Sequence, residues 1–367
     1  MTRPVLIMAG GTGGHIFPGL AVADELRSRG VPVAWLGAEG GMETRVVPAH
    51  GLDLHTIAVG GLRGKGLKTR LMAPVMLVRA LLASLALLRR LRPACVLSMG
   101  GYVAGPAGVA ARLAGIPLVV HEQNAVAGFT NRKLAGFARK VLTGFPNVLP
   151  NGEWVGNPVR SRIAALSPPE LRMTGRTGRP RLLVLGGSLG ARTLNMAVPA
   201  ALAELRRMAD NGQGDRLEPE VVHQTGERGL EDARAAYAEA GIAANIVAFI
   251  DDMAGAYEWA DIVVCRAGAL TVAELCAAGL EALLVPFPHA VDDHQTANAR
   301  AMVDAGGARL VADATLAQSG ARDMLAHLLS DMLADRRQIL SAAIASRTLA
   351  KPDAASTIAR HCMEVSA

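Results

Sequence analysis

Aromatic residues are scarce: Phe, Trp and Tyr make up 3% of the 367 residues, and no Lys/Arg run is interleaved with them. A stacking platform for single-stranded nucleic acid is thereby excluded, so the net charge of +6 points to another anionic partner. Cysteine is equally thin. Cys95, Cys265, Cys276 and Cys362 are far apart and form no C-x-x-C pair, which argues for a reduced, cytoplasmic compartment. The apolar run Val5 to Ala9 is too short for a signal-peptide core, and no cleavage is expected. There is no Asp-x-Asp, no H-E-x-x-H and no helical ligand spacing at His50/His55 or His289/His294, so no cofactor and no essential protein-bound metal is expected. A G-x-x-x-x-G-K-[ST] loop is also missing, which excludes a P-loop NTPase.

What the chain does have is glycine, 40 residues of it, in a composition that is 51% hydrophobic and 19% charged. That balance suits a small-residue-rich α/β enzyme, and the length suits two domains. An internal echo supports the division. Val5 to His15 reads VLIMAGGTGGH and Leu182 to Ala191 reads LLVLGGSLGA, each an apolar strand entering a glycine-rich turn. Helical patterns follow at Pro18 to Arg29 and Thr193 to Met208, giving two Rossmann-like starts. Further strands are expected at Val33 to Leu36, Val96 to Ser98, Leu118 to His121, Val221 to Gln224, Ile246 to Phe249, Ile262 to Cys265 and Leu283 to Val285. Short apolar runs between helical stretches imply parallel sheets. The expected fold is α/β, with an N-terminal domain over 1–160, a C-terminal domain over 161–343 and a helix at about 344–367 packing back on the first domain.

The loop Gly10 to His15 can turn tightly from strand to helix and present free amides to an anion, a diphosphate or an acceptor's phosphate. Two more loops of this type follow apolar strands, MGGYVAGP at Met99 to Pro106 and GGSLGA at Gly186 to Ala191. In open parallel sheets the C-terminal strand edge is the ligand edge, so two such sheets facing across a cleft would bind a donor and an acceptor.

The ordered set GGTGGHIFPGLAVA, LRGKG, GGYVAGP, HEQN, GNPVR, GGSLGA and ALTVAEL resembles the bacterial UDP-N-acetylglucosamine:undecaprenyl-pyrophosphoryl-muramyl-pentapeptide N-acetylglucosaminyltransferase family, from about residue 5 to 300. The resemblance implies a GT-B fold and a donor, UDP-N-acetylglucosamine, held mainly by the C-terminal domain. Ala269, Leu270, Thr271, Val272, Ala273 and Glu274 match the donor motif, with Glu274 on the ribose hydroxyls. Ser188 and Arg160 match diphosphate contacts, Ile250 a backbone contact to uracil, and Gln295 and Asn124 sugar contacts. Thr12, Gly13 and Gly14 belong with the donor set, while Gly100, Gly101 and Tyr102 fall to the acceptor, undecaprenyl-pyrophosphoryl-MurNAc-pentapeptide.

Arg63, Lys65, Lys68 and Arg70 precede the mostly apolar stretch Leu71 to Leu88, which Arg79 interrupts. The pattern is expected to dock peripherally on an anionic membrane, the cytoplasmic face of the inner membrane, rather than to span it. By resemblance the reaction inverts the anomeric centre, and partners from wall synthesis and division fit the same setting. The chemistry needs a base for the acceptor hydroxyl and positive potential for the leaving diphosphate. His15 is the leading candidate base and Glu122 the second; a loop-holding or phosphate-binding His15 is the competing reading. Glu281 stands where the family usually has proline, with an expected effect on local stiffness. Three alternatives compete with transfer: a sugar-nucleotide epimerase, a noncatalytic nucleotide-sugar-binding subunit, and a nicotinamide oxidoreductase with Glu39 imitating a ribose acid. The membrane-type segment disfavours the first, paired donor and acceptor loops the second, and glycine spacing the third.

Overall fold

Hydrophobic strands buried on both faces dominate the computed structural model, which describes residues 3–59, 67–187, 190–212 and 218–366, with side chains left undescribed at 67–71 and 291. Arg63, Lys65 and Ser188 lie outside the described residues, and Lys68 and Arg70 are described only as backbone. Two compact units emerge, one formed by 1–159 with 351–367 and the other by 160–350. Arg160 is therefore the first residue of the second unit. The expected return at 344 starts at Lys351 instead, because the helix Arg336–Arg347 packs within the second unit.

The first unit has strands β1 (Val5–Ala9), β2 (Val33–Ala38), β3 (Asp53–Ile57), β4 (Cys95–Gly100), β5 (Leu118–Glu122), β6 (Lys140–Thr143) and β7 (Glu153–Trp154). They form one sheet in the order β3-β2-β1-β4-β5-β6-β7, every pair parallel. The second unit has β8 (Arg181–Leu185), β9 (Glu220–Gln224), β10 (Asn245–Val247), β11 (Ile262–Cys265), β12 (Glu281–Leu284) and β13 (Ala308–Leu310). Their order is β10-β9-β8-β11-β12-β13, again all parallel. Both are Rossmann-like sheets. The order reverses at β1/β4 in one and at β8/β11 in the other, and ligands of such sheets bind beyond the strand ends at these reversals.

The strands missing from the sequence reading, β3, β6, β7 and β13, are short and lie towards sheet edges, where partial exposure weakens the apolar signal. The first helix also begins earlier than its pattern, at Gly13 rather than Pro18. Pro18 sits inside it, where it cannot donate to the carbonyl of Gly14. The helix Ala354–Ser366 packs on Gly13–Ser28, and its Ile358, Ala359 and Cys362 complete the core containing Val5, Ile7, Leu97 and Met99.

The helix Leu67–Leu91 buries Ala80, Ser84, Leu87 and Leu88, the first and last two in the core formed with Leu6, Met8 and Leu36. Met72, Val75, Val78 and Leu82, spaced for one helical face, are exposed, as is Leu77. By length and hydropathy Met72–Leu91 could cross a bilayer, and 22% of it is buried. Its packed second half anchors it to the sheet, leaving Met72, Val75, Leu77 and Val78 of the first half as an exposed apolar surface.

Candidate active site

At the β1/β4 reversal the two glycine loops are built around each other. The register slips between Met8 and Ala9, so that Ala9 pairs with Gly100 and the end of β4 bulges. Gly100 and Gly101 then have φ of +105° and +89°. A Cβ on Gly101 would lie 2.4 Å from the carbonyl oxygen of Gly10, so the second loop can press on the first only as glycine. A buried carboxylate fixes the other side. Glu43 accepts from Gly11 N (3.1 Å) and Ala38 N (2.8 Å), tying the first loop to the end of β2. Nothing in GGMETRVV marked Glu43 as special; only its contacts do.

Thr12 stands at the N-cap of Gly13–Ser28, but its side chain does not cap the helix. It meets His15 Nδ1 instead, at 3.2 Å, while the other side of the imidazole borders Gly100: a Cβ there would be 3.1 Å from Nε2. The candidate base, the glycine amides of the helix start and the glycines Gly100 and Gly101 thus converge. Tyr102 is exposed at the same loop.

Glu122 has a different environment. It is buried at the end of β5, where Oε1 accepts from Asn124 N (3.0 Å) and Nδ2 (3.3 Å), and Oε2 from Gly128 N (3.2 Å) and Asn131 Nδ2 (3.0 Å). Four donors match the roughly four acceptor sites of a carboxylate, the arrangement of a loop anchor. Asn124 is thereby oriented by Glu122, and Asn131, which the sequence reading missed, also accepts from Ser98 Oγ at 3.1 Å. Beside it, burial pushes His121 down to about 4, and the neutral ring donates from Nε2 to Gly156 O at 2.9 Å. This bond holds the strand end to the start of the GNPVR segment.

In the second unit the helix Ala269–Ala278 starts at the β11 end, with Gly268 as N-cap and no side chain capping it. Ala269 and Val272 face the core, whereas Leu270, Thr271, Ala273 and Glu274 are half-buried on the other side. The loop is braced by Asn298, which donates to Ala267 O at 3.1 Å. Arg160 brings a bidentate contact to Glu274, Nε to Oε1 at 2.9 Å and Nη2 to Oε2 at 3.0 Å. The buried Tyr257 hydroxyl donates to Oε2 at 3.3 Å. Burial pushes the Glu274 carboxyl up, against the opposing pull of Arg160. The residues assigned to ribose and diphosphate are therefore joined to each other.

At the β8 end, Gln224 holds the glycine loop through Gly187, accepting from its amide (3.1 Å) and donating to its carbonyl (3.0 Å). Gly190, at φ +77°, leaves no room for a Cβ against Thr225 O. Gln295 accepts from Phe287 N at 2.9 Å, fixing the loop after β12, and Ile250 is half-buried after β10. Arg266, at the end of β11, pairs with Asp313 and donates to Val285 O, a brace that no motif announced.

Glu281 opens β12 and is 6% exposed, with Oε2 lacking a hydrogen-bond partner among the described residues. Burial pushes its carboxyl up to about 7, with Arg309 opposing. An electrostatic effect thus stands beside the one expected on stiffness.

Residues 5–143 match the glycosyltransferase family 28 N-terminal domain and residues 181–358 its C-terminal domain. A protein of Xanthomonas campestris pv. campestris (strain B100) named UDP-N-acetylglucosamine–N-acetylmuramyl-(pentapeptide) pyrophosphoryl-undecaprenol N-acetylglucosamine transferase is 57% identical over 97% of this chain and 81% of its own. A protein of Dechloromonas aromatica (strain RCB) with the same name is 52% identical over 100% of this chain and 99% of its own. The crystal structure of Acinetobacter baumannii MurG superposes with a TM-score of 0.86 at 37% identity, covering 99% of each chain. Two Rossmann-like units of the GT-B class, sugar-transferase domains in both halves and relatives of this identity make the chain a glycosyltransferase of family 28.

Proposed function

We propose that the chain transfers N-acetylglucosamine from UDP-N-acetylglucosamine to the C4 hydroxyl of the muramyl sugar of undecaprenyl-pyrophosphoryl-MurNAc-pentapeptide, with inversion. The observation that carries the donor half is Glu274 on the helix that starts at the β11 end, beside Arg160 and below uncapped helix amides. A carboxylate there accepts from ribose hydroxyls, and the amides and guanidinium take the diphosphate. The acceptor half is supported by the names of the relatives and by the paired glycine loops of the first unit.

His15 takes the hydroxyl proton as the new bond forms, and positive potential from Arg160 and the helix starts stabilises departing UDP. Glu122 holds the Asn124 to Gly128 turn rather than moving a proton, since donors occupy its carboxylate. The reading includes no divalent metal, supported by the missing Asp-x-Asp. Attachment is peripheral, at the cytoplasmic face of the inner membrane, through the exposed half of Leu67–Leu91 and its basic approach, where wall-synthesis and division proteins are the expected neighbours.

The test is to incubate purified protein with UDP-N-acetylglucosamine, with and without a lipid-linked muramyl-pentapeptide analogue, in chelator, and to follow UDP and the lipid's mass. Acceptor-dependent UDP release with one added N-acetylglucosamine supports the reading. UDP release without a heavier lipid points to an epimerase or hydrolase, and rescue by a divalent ion overturns the metal-free chemistry.

A further inference from the structure

The Glu274 carboxylate is oversubscribed. Arg160 gives it two charge-assisted hydrogen bonds and Tyr257 a third, out of about four acceptor sites. A ribose diol brings two more donors, so Arg160 and the diol cannot both keep full pairing. The two protein donors are held differently. Tyr257 is buried on the helix Met253–Trp259, whose N-cap Asp252 accepts from Gly255 N, whereas the Arg160 side chain is 54% exposed.

Resting on the donor reading above, we propose that Glu274 is exchanged between Arg160 and the donor's ribose, with Tyr257 as a positioning residue that holds the carboxylate throughout. Binding of the diol displaces the guanidinium, and the displaced guanidinium is then available to the diphosphate. The same contact thus couples recognition of the sugar of the nucleoside to charge placement on its leaving group. A nucleoside lacking phosphate breaks the pair and gains nothing in return. Burial raises the cost of leaving Glu274 with Tyr257 as its sole donor, which favours a direct handover from the guanidinium to the diol.

Calorimetric titration of wild type, Arg160→Gln and Tyr257→Phe with uridine, 2′,3′-dideoxyuridine and UDP tests this. Arg160→Gln is expected to bind uridine about two- to fivefold more tightly than wild type, the scale of an exposed ion pair, yet to bind UDP more weakly. Dideoxyuridine, with no diol to compete, should show no gain. Tyr257→Phe should raise KM for UDP-N-acetylglucosamine several-fold at unchanged kcat and leave dideoxyuridine affinity alone. Should Arg160→Gln fail to fold, Arg160→Ala, which also removes the charge and the fork, should show the same uridine gain. Uridine affinity unchanged or weakened in the folded variant, with UDP bound normally by wild type, overturns the exchange alone. Wild type binding neither uridine nor UDP overturns the donor reading and the exchange with it.

Discussion

Glutamine at position 281 keeps the shape of the native side chain and removes a charge that the second unit buries. Glu281 has an ordinary carboxyl value near 4.5 that folding raises to about 7, because burial outweighs the attraction of Arg309. The folded protein therefore binds the proton more tightly than the unfolded chain between these values. Stability falls as pH rises through that window, by about 1.4 kcal/mol per pH unit, and the accumulated penalty above pH 7 is about 3 kcal/mol. Glu281→Gln should escape it. Urea unfolding of wild type and variant at pH 5, 6, 7 and 8, followed by Trp259 fluorescence in a background lacking the other two tryptophans, isolates the second unit. The variant should gain about 2–3 kcal/mol at pH 8 and less than about 1 kcal/mol at pH 5. An equal gain at both ends, or none at pH 8, would refute burial of the charge as the cause.

Three other perturbations probe the first unit. Gly101→Ala combines a φ of +89° with a Cβ 2.4 Å from Gly10 O and should destabilise by about 2 kcal/mol or more, read as a lower melting transition together with lost turnover. Retained stability and activity would mean the two loops do not press on each other. His15→Ala should lower kcat by about 10²- to 10⁴-fold with UDP affinity unchanged, and near-normal turnover in a folded variant removes His15 as the base. The double substitution Val78→Asp and Leu82→Asp, on an exposed face, should cut binding to anionic phospholipid vesicles at least about tenfold with far-UV circular dichroism unchanged; undiminished sedimentation with vesicles would place the membrane contact elsewhere.

The central strands were legible because burial on both faces leaves uninterrupted Val/Leu/Ile runs, as in β1, β8 and β11. β3, with DLHTI, and β13, with ARL, carry polar residues at their exposed positions and read as loops. The glycine loops were legible for a related reason, since positive φ and close backbone approach leave no alternative residue at Gly101 or Gly190. Contacts distant in sequence left no local trace. Glu43, which reaches Gly11, and Tyr257, which reaches the Glu274 carboxylate, went unnoticed, and Arg160 and Glu274 were each marked by their motifs but not as a pair. Glu122 shows the converse: its position in HEQN drew attention to it, but a motif does not reveal that neighbouring amides already occupy its oxygens.

The polypeptide passes between units twice, after Val159 and again after Ala350. Ile358, Ala359 and Cys362 fill space against Val5, Ile7 and Leu97, so the unit that begins synthesis first is the one that cannot close its core until residues 351–367 have left the ribosome. Residues 160–350 can meanwhile assemble their own sheet. Folding order during translation should run opposite to unit order, and clipping after Ala350 would wound the N-terminal unit while leaving the other intact.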